Sequence, residues 1–282
     1  MRIALVTDST ADLPEAERQE LKADAVPLYV HFQDKIHKDW VEITPAKLFE
    51  AIRAGAAHPS TSQPSPDDFN TVYTRLLKDH DHVISIHISA VLSGTLQSAN
   101  LAAQSHPGKI TLVDSKSASL GTGNLVRLAA RLRDQGKGVG EIVSAVEKLR
   151  NATHLAFSVA SLEFLKRGGR IGGAQALLGS LLNIKPVLTL KDGKVDTLGK
   201  ARGQSKAIAM MVESYRAHSV KVGLVDMHYI YGVDPEAVYP LQKAVEASGI
   251  AVAKSRTYEF GGVIGVHTGP GTYGAFASPA LK

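Results

Sequence analysis

The 282-residue chain contains no cysteine, so disulfides, thiol catalysis and cysteine-ligated zinc are excluded. No apolar stretch approaches the ~18 residues that a membrane-spanning helix needs. The first apolar run, Ile3 to Val6, is too short for a secretory leader and reads as a buried strand. The cytoplasm is the expected compartment by elimination. Lysine and arginine exceed aspartate and glutamate by 32 − 27 = 5, yet no run of five basic residues occurs. A nucleic-acid surface normally shows such a cluster, so no nucleic-acid partner is expected. Nucleotide motifs are missing too. Gly121-Thr122-Gly123 is followed three residues on by Val126, where a dinucleotide fold needs glycine. Gly138-Val139-Gly140 is explained as a helix start. There is no Gly-Lys-Ser/Thr phosphate loop, no H-E-x-x-H and no G-x-S-x-G elbow, and the 11 histidines are dispersed. No metal is expected.

What is present is an alternation of short apolar runs with helical patterns. Strands are expected at Ile3 to Thr7, Ala25 to Phe32, His82 to Ile88 and Ile110 to Val113. Helices are expected at Pro14 to Lys22, Pro45 to Ala54, about Gly94 to Gln104 and about Leu120 to Gln135. The clearest helix follows Ser65. Pro66 takes its first position, Asp68 completes a capping box, and Phe69, Val72, Tyr73, Leu76 and Leu77 share one face. This order implies a parallel sheet with helices on both faces. Ligands of such sheets bind beyond the carboxyl ends of the strands. Three polar clusters lie there: Asp8-Ser9-Thr10, Ser89 to Thr95, and Asp114-Ser115.

The pattern changes after about residue 155. Pro186 to Leu190 and Val195 to Leu198 flank an Asp192-Gly193 turn and read as a hairpin. A helix with Ala207, Ile208, Met211, Val212 and Tyr215 on one stripe follows. Next come a strand (Val220 to Asp226), a helix (Pro235 to Ala247) and strands near Ala251 to Thr257 and Val263 to His267. Residues 1–155 and 156–282 are therefore expected as two α/β domains, the first Rossmann-like with a parallel sheet, the second with a mixed sheet.

Two hydroxyl-rich loops open helices: Thr61-Ser62-Gln63-Pro64-Ser65 and Leu92-Ser93-Gly94-Thr95. A helix start offers unpaired N–H donors and partial positive charge, and hydroxyls add donors suited to a carboxylate. Ser65 is read as an N-cap only; Thr61 and Ser93 can cap or bind. Lys166-Arg167-Gly168-Gly169-Arg170 forms a basic turn, either solvated or facing an anion. Ala174 to Ile184 is nearly all apolar, either core helix or pocket wall. His267 precedes the glycine-rich Gly269 to Gly274, which reads as a phosphate cradle with open space behind the imidazole, a tight turn carrying a catalytic histidine, or only a turn. A hydrolase using Ser93 and His267 is the alternative from these residues alone.

Seven stretches in register resemble the DegV family of bacterial lipid-binding proteins: VTDSTADLP (6–14), TSQPSP (61–66), ISAVLSGTLQSA (88–99), LVDSKSASLGTG (112–123), LEFLKRGGRI (162–171), LLNIKPVLTL (181–190) and HTGPGTYG (267–274). The resemblance implies two α/β domains with a lipid tunnel between or beside them. It implies a carrier, not an enzyme by itself: the B-type subunit of a fatty acid kinase. Such a carrier presents fatty acids to a separate ATP-dependent kinase, whose acyl-phosphate product enters phospholipid synthesis. Carried over, Thr61 and Ser93 would be the carboxylate-binding hydroxyls and His267 the histidine beside them. Gly94, Thr95, Arg170 and Arg202 would lie near the head group or face the kinase. Ala90 and Leu96 depart from the serine and tyrosine frequent in relatives, and these bear on chain-length preference. No cofactor is implied beyond the bound acid, of about 14–18 carbons. Each buried methylene contributes about 0.8 kcal/mol, so apolar burial supplies affinity with little side-chain specificity. The charged head cannot be buried unpaired.

Overall fold

The computed structural model describes residues 1–179 and 184–281. The chain forms two compact units, residues 1–44 with 59–151, and residues 45–58 with 152–282. The order begins β1 (Ile3–Asp8), α1 (Glu15–Glu20), β2 (Ala23–Val26), β3 (Tyr29–Phe32), β4 (Lys35–Lys38), α2 (Pro45–Arg53), β5 (Ser60–Ser62), α3 (Pro66–Leu76) and β6 (His82–His87). It continues α4 (Thr95–Ala103), β7 (Ile110–Asp114), α5 (Leu120–Asp134), α6 (Val139–Asn151), β8 (His154–Ser158), α7 (Glu163–Arg167), β9 (Ile184–Lys191) and β10 (Lys194–Arg202). It ends α8 (Gln204–Val222), β11 (Val225–Tyr231), α9 (Tyr239–Glu246), β12 (Val252–Glu259), α10 (Gly262–Thr268) and β13 (Tyr273–Pro279).

In the first unit a wholly parallel sheet runs β2-β1-β6-β7. Its central strands are buried along their length because both faces are covered, and β1 opens with the continuous apolar run Ile3 to Val6. Ala4, Val6 and Val83 pack with Phe69, Tyr73, Leu76, Ala99 and Ala102 of α3 and α4. The period of two turns Leu5, Ile84 and Ile86 the other way, where they are equally buried, and α5, backed by α6, packs against β1 and β6. The capping box of α3 is formed: Asp68 N donates to Ser65 Oγ at 3.1 Å, and Ser65 N donates to the Asp68 carboxylate at 2.8 Å. Such a cap is worth about 1 kcal/mol. The sequence reading of Ala25 to Phe32 as one strand is corrected. Pro27 lacks an N–H for a ladder, so the chain divides there into β2 of the parallel sheet and β3 of a separate sheet ordered β4-β3-β5.

The second unit holds the expected mixed sheet, ordered β10-β9-β8-β13-β11-β12, in which only β11 and β12 pair in parallel. The β9–β10 turn takes positive φ at Asp192 (49°) and Gly193 (79°), as a two-residue hairpin requires. The α8 stripe from Ala207 to Tyr215 is buried against Met227, Ala275 and Ala277. Two expected strands are corrected. At Val220 to Asp226 helix α8 instead continues to Val222 and ends at Gly223 (φ 80°), whose N–H bonds Ser219 O at 2.7 Å. Val263 to His267 is helix α10, not a strand. A five-residue apolar run carries no decisive period, and Gly265 lets α10 approach Phe49 of α2, whose ring would lie 3.0 Å from an added Cβ. Within Ala174 to Ile184, residues 180–183 lie outside the described residues. The preceding part is a 3-10 turn, Gly172–Leu177, with Ala174 buried and Leu178 37% exposed, so no continuous core helix forms there.

Candidate functional site

The three polar clusters follow β1, β6 and β7 at their carboxyl ends. Thr61 lies on β5, opposite Val30 of β3. Ser93 lies in the loop that opens α4. Gln63 joins the two segments: its amide donates to Ser98 Oγ at 3.2 Å, and its side chain covers Gly94, where an added Cβ would meet Oε1 at 2.2 Å. Gly94 has φ −72°, so its backbone does not call for glycine; a side chain there would displace the Gln63 amide. Ser93 Oγ lies 2.9 Å from Thr95 Oγ1 and accepts from Thr95 N at 3.3 Å. Buried Thr95 thus orients a partly exposed hydroxyl at a helix start, where N–H donors converge.

Beneath this loop runs a buried chain that sequence reasoning missed. Asp8 Oδ2 lies 2.9 Å from His87 Nδ1, His87 Nε2 lies 2.6 Å from Ser85 Oγ, and Ser85 Oγ lies 2.8 Å from Tyr73 OH. The same carboxylate accepts from Ile88 N at 3.0 Å. It thereby ties the end of β1 to the start of the segment that leads to Ser93. The order Asp-His-Ser is that of a hydrolytic triad, but Ser85 is fully buried inside β6 and reaches no substrate. Ser93, the serine proposed for hydrolysis from sequence, is held by Thr95. The only signal for the chain was the alternation of polar His82, Ser85 and His87 with apolar residues near the end of a strand.

In the second unit His267 is the penultimate residue of α10. Its ring packs on Gly168, where an added Cβ would lie 2.1 Å from Nδ1. Burial first, then the Arg170 guanidinium, then His58, lower the His267 pKa to about 4. The imidazole is therefore neutral at physiological pH and presents one N–H donor. Arg170 folds back, donating from Nη1 to Gly168 O at 2.6 Å. His267 and Arg170 are thus neighbours. Arg202 is exposed at the end of β10, paired with Ile184 at the far end of the hairpin.

The room expected behind His267 is filled. Gly269 (φ 86°) ends α10, and a Cβ there would lie 2.8 Å from the Phe164 ring. At Gly271 it would meet Ala160 Cβ at 2.8 Å, and at Gly274 Phe157 Cβ at 2.5 Å. These glycines serve a helix end and close packing, and they do not form a phosphate cradle. Among the described residues no group of three or more His, Cys, Asp or Glu is placed to hold a metal ion, and no helix is long and apolar enough to cross a membrane.

These features define an α/β protein of two units, one offering hydroxyls at a helix start, the other a neutral imidazole beside an arginine. The chain belongs to the DegV family: the family model described as an uncharacterised protein of the DegV family matches residues 2–280. A DegV domain-containing protein of Deinococcus radiodurans is 42% identical over 279 residues, which is 99% of each chain. Among solved structures, a Thermus thermophilus DegV family protein described by its fatty acid binding is 51% identical, with a TM-score of 0.96 over 99% of this chain and 100% of that one. DegV of Bacillus subtilis, a fatty acid binding protein, is 31% identical with a TM-score of 0.89 over 99% and 100%. A stearic acid-binding protein of Eubacterium ventriosum is 26% identical with a TM-score of 0.89 over 98% of each chain.

Proposed function

We propose that this chain is a cytoplasmic carrier that binds one long-chain fatty acid and presents its carboxylate to an ATP-dependent fatty acid kinase. The full-length likeness to a fatty acid-binding relative, at 51% identity and TM-score 0.96, carries the reading. The residue chemistry supports it. In this reading Thr61 and Ser93 donate hydroxyl hydrogen bonds to the carboxylate, Gly94 and Thr95 shape the helix start beside it, and neutral His267 donates a ring N–H. Arg170 supplies positive charge near the head group, and Arg202 faces the kinase. A tail of about 14 methylenes offers roughly 11 kcal/mol gross on burial, from which association costs are subtracted.

The sequence has no nucleotide loop, so ATP and Mg²⁺ belong to the kinase. The carboxylate oxygen attacks the γ-phosphorus, an O–P bond forms, the β–γ bridging bond breaks and ADP leaves. The carrier contributes in-line positioning. The test is native mass spectrometry of the purified protein followed by extraction. A non-covalent acid of about 14–18 carbons, whose tail matches the burial energy above, is the expected ligand. Only unliganded protein, with no uptake of added palmitate or oleate, would refute the proposal.

A further inference from the structure

We propose that His58 is a second head-group residue, which with His267 forms an imidazole pair that takes up one proton when an anionic head group docks. The inference rests on the carrier reading above. His58 follows α2 within the second unit, and its ring lies against Phe164, centroids 5.2 Å apart and planes tilted by 58°. Phe164 is itself fixed, edge-on to Phe49 at 6.4 Å and closed over Gly269. The same turn that follows α7 supplies Gly168, against which the His267 ring lies. One aromatic wall and one glycine thus set both imidazoles, and the two rings are close enough to act on each other electrostatically.

The His58 Nε2 atom is buried and makes no hydrogen bond among the described residues. A buried ring nitrogen left unpaired pays its desolvation without compensation. Such a cost is recovered when an acceptor or donor arrives. The charged groups facing His58 are Arg167 and Glu163 of α7 and His267 of α10, and those facing His267 are Arg170 and His58. Burial, and after it Arg167, lower the His58 pKa, while Glu163 opposes them. Before ligand binding both rings are therefore neutral and two guanidiniums resist a further positive charge. An anion placed within hydrogen-bond reach reverses that balance, because an opposite charge at about 4–6 Å favours the protonated ring by 1–3 pH units. One imidazole then becomes imidazolium, with the proton drawn from solvent and no covalent bond changed. His58 is the one to accept it. Glu163 of α7 favours its charged form, whereas deeper burial and Arg170 hold His267 neutral.

The experiment is calorimetric titration of myristate, delivered from cyclodextrin, in buffers of different ionisation enthalpy and at several pH values. Tetradecanol serves as the uncharged analogue. The wild type should take up as much as one proton per myristate, and its affinity should fall by up to tenfold per pH unit between the ring's titration in the free protein and its higher titration in the complex. Tetradecanol should bind with no proton uptake. In His58→Gln, and in His58→Phe, which keeps an aromatic ring against Phe164, myristate should bind more weakly at neutral pH, with proton uptake lost and the pH slope flattened. Wild-type binding without proton uptake overturns the inference, as does undiminished uptake in both variants or equal uptake with tetradecanol. Failure of the wild type to bind myristate at all is a different result, and it removes the carrier reading together with this one.

Discussion

Gly168→Ala tests the position of His267 with a single methyl group. Gly168 has φ −73°, so alanine fits its backbone without strain. Any effect must come from the space its Cβ enters. That Cβ would lie 2.1 Å from His267 Nδ1, 2.9 Å from Cε1 and 3.2 Å from Cγ. Heavy atoms are comfortable at about 3.5 Å, so the ring must retreat by roughly 1.4 Å. The ring is not a flexible chain end. Overpacking of this kind costs about 1–3 kcal/mol, offset by about 0.4–1 kcal/mol from the reduced freedom of the unfolded chain. The variant should therefore be destabilised by about 1–2 kcal/mol in thermal or urea unfolding. A retreat of that size would also break the hydrogen bond proposed between His267 and the carboxylate, worth about 1.5–3 kcal/mol, and fatty acid affinity should then drop roughly ten- to hundredfold.

The double variant Gly168→Ala/His267→Ala separates the two effects. With the ring gone, the new methyl fills vacated space, so the double variant should be at least as stable as His267→Ala alone, while affinity stays low. The coupling should be about 1–3 kcal/mol. Strictly additive stabilities, or a Gly168→Ala protein with wild-type stability and affinity, would show that the imidazole does not occupy this place.

Thr61→Ala combined with Ser93→Ala should weaken palmitate binding about tenfold or more, since each lost hydroxyl leaves a charged acceptor short of a donor; unchanged affinity in fluorescence displacement would remove both residues from the head-group set. Arg202→Ala should slow acyl-phosphate formation by the kinase while lipid uptake stays intact, and the reverse pattern would place this arginine at the lipid. His154 lies 3.2 Å from Ser214 Oγ and stacks on His218 at 5.4 Å, and burial, then His218, then Lys221, lower its pKa to about 4 from an ordinary 6.5. Because the unfolded chain binds that proton more readily, the stabilisation is complete above about pH 6.5 and is lost as the pH falls toward 4, by up to about 3 kcal/mol. His154→Gln should flatten this part of the stability–pH curve, and an unaltered curve would exclude His154 as its source.

How much of this was legible in the sequence follows from the range of the forces involved. The α3 capping box needs only Ser65, Pro66 and Asp68, three residues apart at most, and it is read directly. The α8 stripe is equally local. The strand at Ile3 to Thr7 is legible because four consecutive apolar residues need burial on both faces. Short apolar runs fail the same reading. Val263 to Val266 could be strand or helix until Phe49 of α2, more than two hundred residues earlier, packs on Gly265. Strand β13 was missed because YGAFASP is rich in small residues; Gly274 is needed where it meets Phe157 and Ala156, and that neighbour lies in another strand.

The candidate site divides in the same way. Ser93 and Thr61 announce themselves as hydroxyls before helices. That Gln63 draws their loops together is a tertiary fact, as is the Asp8–His87 contact, 79 residues apart in sequence. The glycine-rich stretch after His267 shows the limit most clearly. Its composition fits a phosphate cradle as well as a packed turn, because both need a missing Cβ. The two differ only in what occupies the space. Phe164, Ala160 and Phe157 occupy it here, all from the second unit. A cradle would keep that space open and its N–H groups converging on it. At this end of α10 the glycines let the walls close around His267, with Arg170 and His58 near it, so any ligand there would meet side chains and not a backbone cradle.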